Sequence, residues 1–252
     1  MVVVGVTLAV IAFGLYWAGP VALSIWTARK LPDRARLVPV NLKDPSISEA
    51  AGSRLSYFDH EFELPWSDID GSRTHLDPNL NRVDLKLRSG LQVSATVLPG
   101  KDVINGIASG VQLSPQLFDA FVTSEFGTDA NRSDYEFLTR LYDFTPEKMN
   151  RWALSPSTHY REAMLLTIKS MALLPWAADS GVFKVCNADY KGFQQGNPQT
   201  RPTGIVVSLY SDDGGIEFVF NQKNYDYPAG VSQAEINRVI QSVRKMGART
   251  GD

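Results

Sequence analysis

Residues 2–26 run without a single Asp, Glu, Lys or Arg, and Arg29-Lys30 follow almost at once. A helix crossing the hydrocarbon core of a bilayer needs about 20 apolar residues, and this stretch supplies them. A secretory signal peptide carries a basic n-region, a short apolar run and a small-residue cleavage motif. Here no Lys or Arg precedes the run, the run is longer, and no A-x-A motif closes it. A buried core helix would have to hide more uncharged length than a body of this size usually does. The expected structure is an uncleaved signal-anchor: a single-pass transmembrane helix with the lipid bilayer as partner. Trp26 stands where an interfacial aromatic anchor would stand, and Gly19-Pro20 predicts a kink, which membrane helices tolerate.

Flanking charge sets the expected orientation. The C-terminal flank holds Arg29, Lys30, Arg34 and Arg36 against Asp33 alone, and the N-terminal flank has only the α-amino group. The positive-inside rule then places the large domain on the cytoplasmic side. An extracytoplasmic domain is the alternative, because large domains can translocate despite such charge. The basic cluster could rest on anionic headgroups at about 1 kcal/mol per residue; a stop-transfer flank explains it more simply.

Outside the apolar stretch the composition is that of an ordinary folded domain. Of 252 residues 44% are hydrophobic and 21% charged, with a formal net charge of -2. That balance argues against a nucleic-acid binder, which would carry a basic face. Cys186 is the only cysteine, so no intrachain disulfide can form. The expected organisation is a membrane anchor (residues 1–28), a basic, proline-containing linker (residues 29–53, with Pro32, Pro39 and Pro45) and a globular α+β domain (residues 54–252). Proline-containing spacers are semi-rigid and would hold the domain off the bilayer.

Periodicity gives the expected elements. Residues 55–64, rich in aromatics, read as a strand. Val83, Leu85 and Leu87 alternate with charged residues; after Ser89-Gly90, Leu91, Val93, Ala95 and Val97 alternate with polar ones. That pattern predicts a hairpin with one buried face. Ser114-Pro115 opens a helix to about Gly127, and Ser133 and Glu136 have capping-box spacing before another. Thr145-Pro146 starts a short helix. A longer one is expected over residues 158–174, with Tyr160, Met164, Ile168, Met171 and Ala172 on one inward face that Leu165, Leu166, Leu173 and Leu174 widen. Strands return at residues 182–187, 190–194, 204–210 and 215–220, the last pair joined by Ser211-Asp212-Asp213-Gly214. A final helix starts at Ser232 with Glu235 in a capping box and Ile236, Val239, Ile240 and Val243 as its stripe. Grouped strands and hairpins predict a mostly antiparallel sheet with helices packed on one face.

The motifs for chemistry are sparse. Asp68, Asp70, His75 and Asp77 share one polar loop, which could bind a hard cation through several oxygens, but Arg73 and Asn79 fall where an EF-hand needs Gly and Glu. Residues 192–204 form a possible contact loop presenting Gln194, Gln195, Asn197 and Arg201, although no phosphate-binding glycine pattern is present. Cys186, in a strand-like run, is expected to pack as a small residue. Tyr57, Phe58, Phe62 and Trp66 are expected in the core, with Asp59, His60 and Glu61 facing water or pairing across strands. No catalytic residue, cofactor or metal is expected. The favoured function is non-catalytic binding of an unidentified protein partner or ligand by the anchored domain. Two alternatives stay open: an anchored hydrolase or metal-dependent enzyme using the Asp68–Asp77 loop or Cys186, and a structural subunit of a membrane complex.

Overall fold

The computed structural model describes residues 22, 26, 30–100, 106, 121–123, 133–150, 155–201, 204–222 and 230–246. The expected membrane span lies outside the described residues except for Ala22 and Trp26. Both are helical, as is Lys30, and Trp26 is 59% exposed. Among the described residues, no helix is long and apolar enough to cross a membrane. Most of the helix expected after Ser114 is likewise outside them; residues 121–123 are helical.

The protein is α+β, and its chain divides into two compact units: Met1–Val38, Ile107–Thr128 and Thr139–Pro175 in one, Pro39–Gly106, Asp129–Leu138 and Trp176–Asp252 in the other. The second unit holds every strand among the described residues. These are β1 (Val40–Asn41), β2 (Ser53–Tyr57), β3 (His60–Leu64), β4 (His75–Asp77), β5 (Arg82–Lys86), β6 (Leu91–Pro99), β7 (Val182–Cys186), β8 (Lys191–Gln195), β9 (Ile205–Ser211), β10 (Gly214–Gln222) and β11 (Arg244–Lys245). Eight form one sheet in the order β1-β7-β8-β9-β10-β6-β5-β4, and three form a second in the order β11-β3-β2. Every pairing is antiparallel except β1 with β7.

Register follows from the alternation in the sequence. Val83, Ala95, Phe218 and Val207 lie side by side across four strands, and none is more than 3% exposed. The neighbouring row, Arg82, Thr96, Glu217, Ser208 and Phe193, faces the other way. Against the apolar face packs a helix, Gln233–Ser242, through Ile236, Val239 and Ile240. Its capping box is formed: the Glu235 amide donates to Ser232 Oγ at 3.3 Å and the Ser232 amide to Glu235 Oε2 at 2.7 Å. Phe62 of β3 meets Phe218 edge-on, with centroids 5.1 Å apart.

The α-helices whose bounds lie among the described residues are, in chain order, α1 (Asp134–Asp143), α2 (Pro156–Ala172), α3 (Ala177–Ser180) and α4 (Gln233–Ser242). Tyr135, at the start of α1, stacks on Phe193 at 5.2 Å, and Phe193 belongs to the outward-facing row. Helical residues therefore touch both faces of the large sheet, not one face as the sequence suggested. In the other unit Lys169 of α2 is 0% exposed and donates to the Tyr142 and Phe144 carbonyls, both at 2.7 Å.

Four expectations change. Residues 55–64 are not one strand: β2 and β3 form a hairpin turning at Phe58-Asp59, and His60 is only 4% exposed. The turn after β5 has three residues, because Leu87 bonds Leu91 (2.8 Å) and Gly90 takes φ 91°; this is the arrangement with a bulge at a left-handed glycine. In α2, Tyr160 and Met171 are 57% and 49% exposed, while Leu165, Leu166, Ile168 and Lys169 are buried. The expected face therefore keeps Leu165, Leu166 and Ile168, loses Tyr160 and Met171, and takes in Lys169, whose charge kept it out of the apolar pattern. Residues 40–50 do not stand free as a spacer: Asn237 Nδ2 donates to the Asp44 and Ser46 carbonyls at 2.8 and 2.7 Å, and Arg238 holds those of Ser48 and Ala50.

Candidate ligand-binding cleft

The residues singled out by sequence do not converge. Asp68 Oδ2 accepts from the Ser89 amide at 2.8 Å. Asp70 accepts from the Ser72 amide and hydroxyl, and the hydroxyl bond is the main reason its carboxyl is held below the ordinary value. Asp77 accepts from the Asn79 and Leu80 amides, and His75 is exposed on β4. Asp70 and Asp77 thus close their own turns, and Asp68 holds the turn between β5 and β6. Among the described residues, no group of three or more His, Cys, Asp or Glu is placed to hold a metal ion. Gln194 is fully buried, its side-chain amide bonded to that of Gln233 (2.8 and 2.9 Å) and to the Gly196 carbonyl; Gln195 is buried too. Both belong to β8 and not to a contact loop, because the pleat turns them into packed surroundings. Asn197 Oδ1 accepts from the Gln199 amide, and Arg201 lies over Trp176, 4.8 Å from the ring centroid. Cys186 is exposed, not packed. Arg34 and Arg36 do not lie free for headgroups: Arg34 Nε donates to the Ser170 carbonyl at 2.7 Å, and Arg36 pairs with Asp33 and Glu147.

The side chains that do converge come from turns at one end of the large sheet. Strands β7 to β10 run up and down in sequence, so the β7–β8 and β9–β10 connections share an end, with Lys191 opposite Tyr210. In the first connection Asn187 Oδ1 accepts from the Asp189 and Tyr190 amides at 2.9 and 2.8 Å. Its Nδ2 donates to the Ile240 and Val243 carbonyls at the end of α4. One asparagine therefore shapes the turn and fixes it to the helix. The second connection is the two-residue turn Asp212-Asp213 between the paired Ser211 and Gly214. Gly214 is obligatory there: at φ 143°, an added Cβ would stand 2.6 Å from the Leu98 carbonyl oxygen. Pairing of β11 with β3 brings Lys245 beside this turn, and its Nζ lies 3.4 Å from Asp213 Oδ2.

Around these turns lies a cleft of about 510 Å³. It adjoins a second cavity of about 300 Å³, with which it shares Ser211, Asp213 and Lys245. Phe58 (φ 47°), Asp59 (φ 68°) and Asn81 (φ 46°) are the described non-glycine residues with left-handed backbone, and all three line the second cavity. Such conformations cost about 1–3 kcal/mol for a residue like phenylalanine and gather where structure serves a site. Beside them His60 Nδ1 is 2.8 Å from Asp59 Oδ1.

Tyr190 sits between the turns, 2% exposed, with its ring 6.1 Å from that of His60. Among the described residues its buried hydroxyl has no hydrogen-bond partner. Burial, followed by the nearby charges of Asp59, Asp189 and Asp213, pushes its ionisation up to about 12. The phenol oxygen is therefore a neutral donor and acceptor lying in the field of the cleft's carboxylates. Four carboxylates (Glu136, Asp189, Asp212, Asp213) and two ammonium groups (Lys191, Lys245) line the cleft, together with the rings of Tyr135, Tyr190 and Tyr210. The Ser133 hydroxyl, accepting from the Glu136 amide at 3.3 Å, caps α1 and directs Glu136 to the rim.

Sequence reasoning recognised the β9–β10 turn but missed this site. The usable clue was topological: in an antiparallel meander, alternate turns share an end, so Asp189 and Asp212-Asp213 had to meet. The chain matches no protein-family model, no curated protein and no solved structure in the comparisons made.

Proposed function

We propose that this protein is a single-pass membrane-anchored domain that binds a protein partner or ligand without catalysis, and that the cleft at the sheet end is where it binds. The Tyr190 hydroxyl carries this proposal. A buried polar group without a partner costs about 1–3 kcal/mol, and it lies here beside an open cleft of ligand-pocket size. The anchor rests on the uncharged run of residues 2–26, and the cytoplasmic placement of the domain on the basic flank that follows it.

The test is affinity capture with the full chain in detergent, comparing the wild type with Ala188→Trp. Ala188 is exposed and lines the cleft, so an indole there fills the space without touching the core. The wild type should bring down a stoichiometric partner that Ala188→Trp does not. A partner retained equally by both would place binding elsewhere on the molecule.

A further inference from the structure

We infer that the cleft receives a cationic group: the ammonium or guanidinium of a lysine or arginine side chain, or of a free alkylamine with the same chemistry. The inference rests on the binding role just proposed. Carboxylates outnumber ammonium groups on the walls by four to two. Among the described residues Glu136, Asp189 and Asp212 make no ion pair, and only Asp213 has one, to Lys245. Asp212 and Asp213 are adjacent on a tight turn whose geometry Gly214 dictates, so both carboxylates are placed at this rim. An anion entering this field would be repelled; a cation would be drawn in.

The aromatic walls point the same way. Cations are attracted to the faces of aromatic rings, by about 0.5–1 kcal/mol when exposed and about 2 or more when desolvated. Of the three tyrosine rings, Tyr190 and Tyr210 are buried and Tyr135 is half-buried, so Tyr135 is the ring with surface to offer a cation beside the four carboxylates. Tyr190 lines the same cleft, and among the described residues its buried hydroxyl has no hydrogen-bond partner. It keeps its own proton because burial, and after it the charges of Asp59, Asp189 and Asp213, oppose its ionisation. The cleft volume of about 510 Å³ exceeds one lysine side chain, which favours a short basic segment over a single small amine.

The test is direct titration of the full chain in detergent micelles with four probes: a fluorescent tetrapeptide containing two lysines, its Nε-acetylated form, a glutamate counterpart and spermidine. The lysine peptide should bind saturably and about tenfold or more tighter than the acetylated peptide. Its affinity should fall with added salt and fall about tenfold in Asp189→Asn combined with Asp213→Asn, whereas Lys191→Gln should raise it. Spermidine binding as tightly as the peptide would identify a free polyamine as the source and still support the inference. Acetylated or glutamate peptide binding as well as the lysine peptide would overturn it, as would no binding by either cation. If neither cation binds while capture is still lost in Ala188→Trp, only the charge inference falls. Capture unchanged in Ala188→Trp removes the binding role of this cleft, and the charge inference falls with it.

Discussion

Lys169 and Tyr190 are both buried polar side chains, and their surroundings treat them differently. The Lys169 ammonium has two carbonyl acceptors at 2.7 Å, the mark of a structural group. Burial nevertheless lowers its pKa from 10.5 to about 8, with repulsion from Lys148 next in size and Asp143 and Glu147 opposing. Between about pH 8 and the ordinary value the unfolded chain holds this proton while the folded protein has released it. The unfolded state then binds more protons, so stability rises with pH across that window. Urea unfolding from below pH 8 to above pH 10 should show the wild type gaining on Lys169→Met by on the order of 1–3 kcal/mol. A difference that stays constant with pH would show that the lysine keeps its ordinary ionisation. Tyr190, in contrast, has a buried hydroxyl with nothing to bond among the described residues, and the proposed binding role rests on it. On the outward face of the sheet, burial raises the Glu217 carboxyl against a 2.9 Å bond from Ser208. For Asp84 burial also acts upward, but bonds from Ser94 and Arg82 outweigh it and hold the carboxyl low.

Among the elements, the β2–β3 hairpin carries the clearest backbone tension. Its two-residue turn needs positive φ at both positions, where Asn-Gly is the usual choice, and it holds Phe58 at 47° and Asp59 at 68°. Phe58→Asn should therefore stabilise the protein by about 0.5–1 kcal/mol, read as a higher midpoint in thermal unfolding. A loss of similar size would show that contacts of the Phe58 ring outweigh the backbone relief. The same turn explains a limit on what the sequence reveals. Five aromatic or apolar residues in ten read as one strand, and no glycine or asparagine marks the reversal. Where local chemistry and fold agree, the elements were legible: the period-two hairpin over residues 82–97, the capping box at Ser232 and the buried stripe of α4. Where tertiary contacts decide, they were not. Residues 40–50 look like a spacer because their bonds run to Asn237 and Arg238, far along the chain. Gln194 looks like a loop residue because its amide partner is Gln233. The cleft itself escaped notice for the same reason: each turn was visible, but their meeting depends on strand order.

For the whole molecule, the anchor and the cleft make separate claims and need separate tests. If residues 2–26 span the bilayer, the full chain should stay with membranes after alkaline carbonate washing. Phe13→Lys with Leu15→Lys should release it, since each charge near a helix centre costs about 2.5–3.5 kcal/mol on the insertion scale. Protease added to sealed vesicles of known orientation should reach the domain from the cytoplasmic side only; cleavage from the opposite side would reverse the topology. Membrane attachment alone would still say nothing of what the domain does. The deciding comparison is thermal unfolding of the full chain and of Tyr190→Phe, each with and without saturating lysine peptide. Removing an unpartnered buried hydroxyl should raise the unliganded midpoint, by an amount corresponding to about 1 kcal/mol, and shrink the further rise that ligand produces. A Tyr190→Phe protein that melts lower without ligand, and gains as much from the peptide as the wild type does, would mean that the phenol oxygen is a structural bond and that the cleft does not use it.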